Sequence, residues 1–224
     1  EFRRVLFRSS YGQALGKEKF REYFQAFGLT QTTGIDLPGE AGSIYHAEED
    51  FGVTELSSSS FGQTFKVTAL QLITAVSAAV NGGELMQPYI VKQVADEEKN
   101  VVSETTPAVK RQVISNETSA TMASLCESVV SEGSGRNAQL PGFRIGGKTG
   151  TSEKLGANDS DWKILSFVGF APADDPQIAV LVMLDEPKLD DPYGSTIAAP
   201  IVKNMLADIL PYLGMEPQLD VDED

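Results

Sequence analysis

At Phe143-Arg144-Ile145-Gly146-Gly147-Lys148-Thr149-Gly150-Thr151, two sequence patterns overlap on one lysine and require different architectures. Gly142 to Thr149 spells G-x-x-x-x-G-K-[ST], the loop that cradles phosphates, and Ile178 to Leu184 followed by Asp185-Glu186 imitates an apolar strand ending in a metal-binding acid. Together these suggest an ATPase. The phosphate loop works only where an apolar strand enters it and a helix leaves it, because the helix N-terminus supplies the amides and the positive dipole end. Upstream, Asn137-Ala138-Gln139-Leu140-Pro141 is turn-like, and downstream Gly150 and Gly156 interrupt any helix. Nucleotide binding is the poorer reading.

Read as a strand, the same residues make better sense. Alternation turns Thr149 and Thr151 to one side, where two hydroxyls can hold one carboxylate. Lys148 then points the other way, so its stem has to reach around the strand, and Gly150 leaves backbone room for a ligand. A Lys-Thr-Gly element on a strand at the rim of the site is the signature of active-serine transpeptidases and β-lactamases.

The flanks extend this strand into a sheet. Phe143 to Thr151, Ile164 to Ala171 and Gln177 to Leu184 are strand-like runs parted by Gly, Pro, Asn and Asp clusters, and their short links favour antiparallel neighbours. Thr196 to Leu213 reads as a closing helix, with residues 214–224 as an acidic tail. Upstream, Ser115 caps a helix running to about Ser131, and Thr68-Ala69-Leu70-Gln71 fits a capping box that opens a helix to Val80, ended by Gly82-Gly83. Tyr89 to Val94 and Ala108 to Ile114 have strand composition and are expected to pair around a flexible acidic segment, Asp96 to Thr106. Lys17 to Phe27 predicts a short amphipathic helix stopped by Gly28, and the serine run Ser57 to Ser60 predicts a solvated loop. Residues 1–11 lack any turn or capping logic and are expected to be a non-native or disordered leader, followed by a domain over residues 12–213.

With 224 residues the chain suits one well-buried domain, so a single core is expected. Its 18 basic and 32 acidic side chains leave a formal charge of -14, which repels nucleic-acid phosphate and anionic lipid, so no nucleic acid is expected as a partner. Cys126 alone cannot form an intramolecular disulfide, and with His46 it makes no metal set, so neither metal nor cofactor is expected. In its helical setting Cys126 reads as a small buried hydrophobe, and His46, in a polar loop, as a solvated side chain. No run approaches the ~20 apolar residues that cross a bilayer, so any membrane anchor is expected outside the chain.

Beyond the strand motif, longer stretches carry a family likeness. Ser131-Glu132-Gly133-Ser134-Gly135-Arg136-Asn137-Ala138 and then Ile145 to Lys154 resemble the corresponding part of class B penicillin-binding proteins. So do Phe61-Gly62-Gln63 with Val67 to Leu72, Asn81-Gly82-Gly83, Gln87-Pro88-Tyr89-Ile90, Ser166 to Pro172 and Ala198-Ala199-Pro200, in family order. The resemblance spans about Gly12 to Tyr212. It implies an α+β fold, the penicillin-binding transpeptidase type, with an antiparallel sheet flanked by helices. It also implies a cell-wall enzyme on the extracytoplasmic face of the bacterial membrane that cross-links peptidoglycan stem peptides through an acyl-serine, binds β-lactams, and works beside other cell-wall synthesis proteins.

Members of that family attack with a serine in S-x-x-K, assisted by the serine of S-x-N. The family places both ahead of the segment resembling Gly16 to Phe27, and neither is expected anywhere in this chain. The nucleophile is therefore expected outside this chain, which reads as an inactive fragment of an enzyme, with a non-catalytic β-lactam sensor or scaffold of the same fold as the alternative. By resemblance, Lys148 would hold the S-x-N serine, Thr149 and Thr151 would bind the substrate or β-lactam carboxylate, and the Thr151 amide, beside Gly150, would serve the oxyanion hole.

Overall fold

The structure is a computed structural model that describes residues 2–154, 162–188 and 193–218, with side chains from Val5 onward. Where one core was expected, the chain divides into two compact units, residues 1–79 with 83–115 and residues 80–82 with 116–224. One crossing between them falls at Gly82 and Gly83, whose φ of 93° and 90° only glycine adopts without strain.

The first unit opens with helix α1 (Phe2–Leu15), which takes in the segment expected as a leader, then α2 (Lys17–Ala26), α3 (Val53–Ser59) and α4 (Ala69–Val80). The capping box predicted for α4 is present: the Gln71 side chain accepts the Thr68 amide at 2.8 Å, and the Thr68 hydroxyl accepts the Gln71 amide at 3.1 Å. The serine run is a correction. It closes α3 instead of forming a loop, because the Glu55 carboxylate accepts the Gly52 amide at 2.9 Å and the Ser58 and Ser60 hydroxyls donate to carbonyls four residues back. His46 is a second correction. Its ring is half-buried beside Tyr45 and Phe51, in the cluster where Phe24 and Phe65 also pack, and the Arg21 guanidinium donates to its carbonyl at 3.1 Å.

The strands of this unit pair differently from the sequence expectation. β1 (Glu84–Met86) pairs with β4 (Val109–Gln112), and β2 (Gln93–Ala95) pairs with β3 (Val101–Glu104), so the segment expected to be flexible contains a strand. Two side chains explain the change. Asp36 accepts the Ile90 and Val91 amides at 2.8 and 2.9 Å, which removes these residues from any ladder, and Asp96 accepts the Asn100 amide at 2.7 Å, which tightens the β2–β3 turn.

Hydrogen bonds from Val91 and Ile90 hold the Asp36 carboxyl below its ordinary value. A carboxyl depressed by folding stabilises the fold above the unfolded aspartate value of about 3.9, and that contribution is lost as pH falls through the folded value. Asp36→Asn is expected to lower the thermal midpoint at neutral pH and to narrow its gap from the parent chain as pH falls into the acid range. A gap independent of pH would show that the carboxylate's charge is not what matters there.

The second unit holds α5 (Asn116–Ser131), a 3-10 turn (Arg136–Ala138), β5 (Gly146–Glu153), β6 (Lys163–Ala171), β7 (Ile178–Asp185) and α6 (Ala198–Tyr212). The three strands form one antiparallel sheet in the order β5-β6-β7, as the short links predicted. Its core joins Phe167 and Ala171 of β6 to Val202, Leu206 and Leu210 of α6. A Cβ at Gly169 would stand 2.6 Å from Val202 Cγ1, so the helix rides directly on the strand backbone.

Candidate active site

β5 lies at the edge of the sheet, with β6 on one side only among the described strands. Register places Lys148 opposite Val168, Thr149 opposite Phe167 and Thr151 opposite Leu165. Facing residues in an antiparallel pair share a face, so Thr149 and Thr151 stand together and Lys148 starts from the other side. The lysine stem reaches around, as the alternation requires: its Nζ donates to the Thr149 carbonyl at 2.8 Å and lies 3.4 Å from Thr149 Oγ1. The ammonium therefore ends beside the Thr149 hydroxyl, with Lys148 and Thr151 exposed and Thr149 half-buried.

The ladder also aims the backbone. The Lys154 amide donates to the Trp162 carbonyl at 3.0 Å in the same register. Residues of that parity exchange bonds with β6, and the alternate ones, Thr149 and Thr151, turn their N–H and C=O toward the outer edge. The bond from Lys148 to the Thr149 carbonyl agrees with this. Thr151 thus offers an amide donor on the side that carries the lysine head.

Several neighbours went unread in the sequence. The Ser134 hydroxyl lies 3.5 Å from that of Thr149, brought there by the Gly133-Ser134-Gly135 loop, which lies in a stretch that carries the family likeness although the sequence reading gave Ser134 itself no role. A Cβ at Gly194 would stand 2.5 Å from the Ser166 carbonyl and 2.8 Å from that of Gly150, so the turn leading into α6 presses on the Lys-Thr-Gly backbone. The space expected for a ligand beside Gly150 is taken by the Ser166 hydroxyl, 2.5 Å from where a Cβ would be. Cys126 of α5 is half-buried; burial pushes its thiol up, against an opposing pull from the Lys148 charge, as suits an unreactive packing residue.

The phosphate-loop pattern fails on geometry, because the chain continues past Lys148 as strand to Glu153, where the pattern requires a helix N-terminus. Asp185 and Glu186, which imitated a metal-binding acid, both bind Lys154, Asp185 at 2.8 Å. Reading S-x-x-K as absent from the whole chain needs correction too. Ser160-Asp161-Trp162-Lys163 spells it once, after the Lys-Thr-Gly element instead of before it. Ser160 lies outside the described residues, and Lys163 begins β6. Lys163 thus starts a strand, whereas S-x-x-K acts on a helix, which brings serine and lysine onto one side.

The family model for the penicillin binding protein transpeptidase domain matches residues 4–207. Stage V sporulation protein D of Bacillus subtilis is 49% identical over 210 residues, covering 92% of this chain and 32% of that protein. Penicillin-binding protein PbpB of Mycolicibacterium smegmatis is 34% identical over 202 residues, covering 84% of this chain and 31% of that protein. Penicillin-binding protein 3 of Mycobacterium tuberculosis, solved with ampicillin, superposes with a TM-score of 0.85 at 25% identity, over 96% of this chain and 50% of that one. The chain thus spans about a third of the length of these curated relatives.

Proposed function

The chain belongs to the penicillin-binding protein transpeptidase family, and from that premise we propose that it supplies the carboxylate-holding strand of a serine-type peptidoglycan D,D-transpeptidase. One observation carries this reading: Thr149 and Thr151 share a face of an edge strand, and the Lys148 ammonium is carried to within 3.4 Å of the Thr149 hydroxyl. Two hydroxyls and a cation hold the terminal carboxylate of a D-Ala-D-Ala stem peptide, or the equivalent group of a β-lactam. The Thr151 amide at the strand edge donates to the oxyanion that forms when a serine attacks the neighbouring carbonyl. Lys148 also holds the S-x-N serine in its hydrogen-bonded place.

The nucleophile belongs to the longer protein, ahead of this segment, with the anchor that keeps the enzyme on the outer face of the bacterial membrane among other cell-wall synthesis proteins. Incubated with a fluorescent penicillin, the 224-residue chain is expected to take up no stable covalent label, whereas the gene product extended upstream through S-x-x-K labels. Labelling of the short chain would overturn this, and Ser160 would be the first serine to replace. An extended protein that labels but neither hydrolyses nor transfers a D-Ala-D-Ala peptide is the sensor instead of the enzyme.

A further inference from the structure

Ser134 stands beside the Lys-Thr-Gly residues with no part in the role proposed for them, and several constraints put it there. α5 ends at Ser131, and the chain then folds back on the helix's last turn: the Gly135 amide donates to the Val129 carbonyl at 2.8 Å, and a Cβ at Gly133 or Gly135 would stand 2.8 or 3.0 Å from that same oxygen. Residues without a Cβ are what allow so close an approach. On the far side of the loop the Asn137 side-chain amide donates to the Ser195 carbonyl at 2.8 Å, next to Gly194, where a Cβ would stand 2.8 Å from the Gly150 carbonyl. The loop is thus fastened to α5 at one end and, at the other, to the turn that abuts the Lys-Thr-Gly backbone, and both ties lie within the second unit.

Between these ties the Ser134 hydroxyl comes to 3.5 Å from Thr149 Oγ1, while Lys148 Nζ lies 3.4 Å from the same atom. Both contacts are at the long end for hydrogen bonds, so their weight lies in what they make the Thr149 hydroxyl do. That hydroxyl has one proton to give and two lone pairs. An ammonium only donates, so Lys148 addresses a lone pair; in the contact with Ser134 either oxygen can be the donor. A carboxylate only accepts, so Thr149 can hold one only through its own proton. With that proton committed, Ser134 has to donate, into the second lone pair. A hydroxyl that accepts from its neighbours donates more strongly, because each bond polarises the next. Granted the carboxylate-holding role proposed for Thr149, we propose that Ser134 is a positioning residue for it: the Ser134 hydroxyl donates to Thr149 Oγ1 and turns the Thr149 proton toward the ligand carboxylate.

In the gene product extended through S-x-x-K, Ser134→Ala is expected to slow acylation by a free-acid penicillin about threefold, the scale of one neutral hydrogen bond, and to leave the rate with the same penicillin esterified at that carboxylate as it is in the parent. Ser134→Thr, which keeps a hydroxyl, should restore the parent rate. With Thr149→Val already in place, Ser134→Ala should slow the reaction no further, since the group it acts through is gone. Ser134 is exposed, so its variants should keep the parent's thermal midpoint. Equal slowing of acid and ester would make Ser134 a support of the loop, and full slowing in the Thr149→Val background would make it a direct ligand contact. Either result, a parent rate in Ser134→Ala, or a threonine variant as slow as the alanine one overturns the assignment, while the labelling itself leaves the transpeptidase reading standing. An extended protein that takes no label from either penicillin overturns that reading and this one with it.

Discussion

Truncating Leu206 to alanine is expected to weaken the unit formed by residues 80–82 and 116–224 by about 2–5 kcal/mol, the range for leucines removed from filled cores. The side chain is fully buried, with Val202 and Leu210 fully buried on the same helix. The site also has little room to collapse. Val202 Cγ1 and Leu206 Cδ1 stand 2.6 and 3.6 Å from where a Cβ would sit on Gly169, so α6 is already against the backbone of β6 and cannot settle closer. Against a typical total of about 5–15 kcal/mol, such a loss moves a urea midpoint far enough to measure easily. Met205, the preceding residue and 41% exposed, is the control, and its alanine variant should change stability by about 0.5 kcal/mol or less. If the two variants unfold at the same urea concentration, α6 is not what holds the sheet.

The elements that were legible in the sequence are those whose hydrogen bonds close locally. The box of Thr68 and Gln71, the helix stop at Gly28, and the three strands after Ile145 all announce themselves within a few residues. What was not legible depends on partners far along the chain. Asp36 meets the Ile90 and Val91 amides across more than fifty residues and so decides that Tyr89 to Val94 is not one strand. Ser57 to Ser60 have loop composition, yet a carboxylate three residues ahead of Ser58 starts a helix whose serines bond backward to its own carbonyls. The division into two units is a property of contact density that no local pattern carries.

The candidate site shows the same limit. Period-two alternation sufficed to place Thr149 and Thr151 together and to require that Lys148 reach around. It could not supply Ser134, which comes from a loop, nor the pressure of Gly194 on Gly150, which comes from the turn before α6. The one S-x-x-K spelling at Ser160 shows the reverse hazard, since a four-residue pattern has chemical meaning only on the helix that brings its ends together.

Replacing Lys148 with methionine in the extended, label-competent protein is expected to slow acylation by an ordinary penicillin on the order of 10²–10³-fold, comparable to removing one preorganised donor from an acyl-transfer site. The ammonium sits at the Thr149 carbonyl and beside its hydroxyl, where a bound carboxylate would meet it, and in the proposed function it would also hold the S-x-N serine of the longer protein. Thr149→Val removes one hydroxyl and keeps the shape, so a smaller loss is expected, near tenfold for a hydrogen bond to a charged group of about 1.5 kcal/mol. Both side chains lie outside the buried core, so neither change should move the thermal midpoint appreciably. The decisive comparison uses the same penicillin with its carboxylate esterified. If Thr149 acts on the carboxylate, its replacement should matter for the free acid and hardly at all for the ester. Lys148 should keep part of its effect with the ester, because its hold on the serine does not depend on the ligand's charge. Equal slowing of acid and ester by Thr149→Val would mean that this hydroxyl shapes the strand and does not hold the carboxylate, and the assignment of the paired threonines would have to be abandoned.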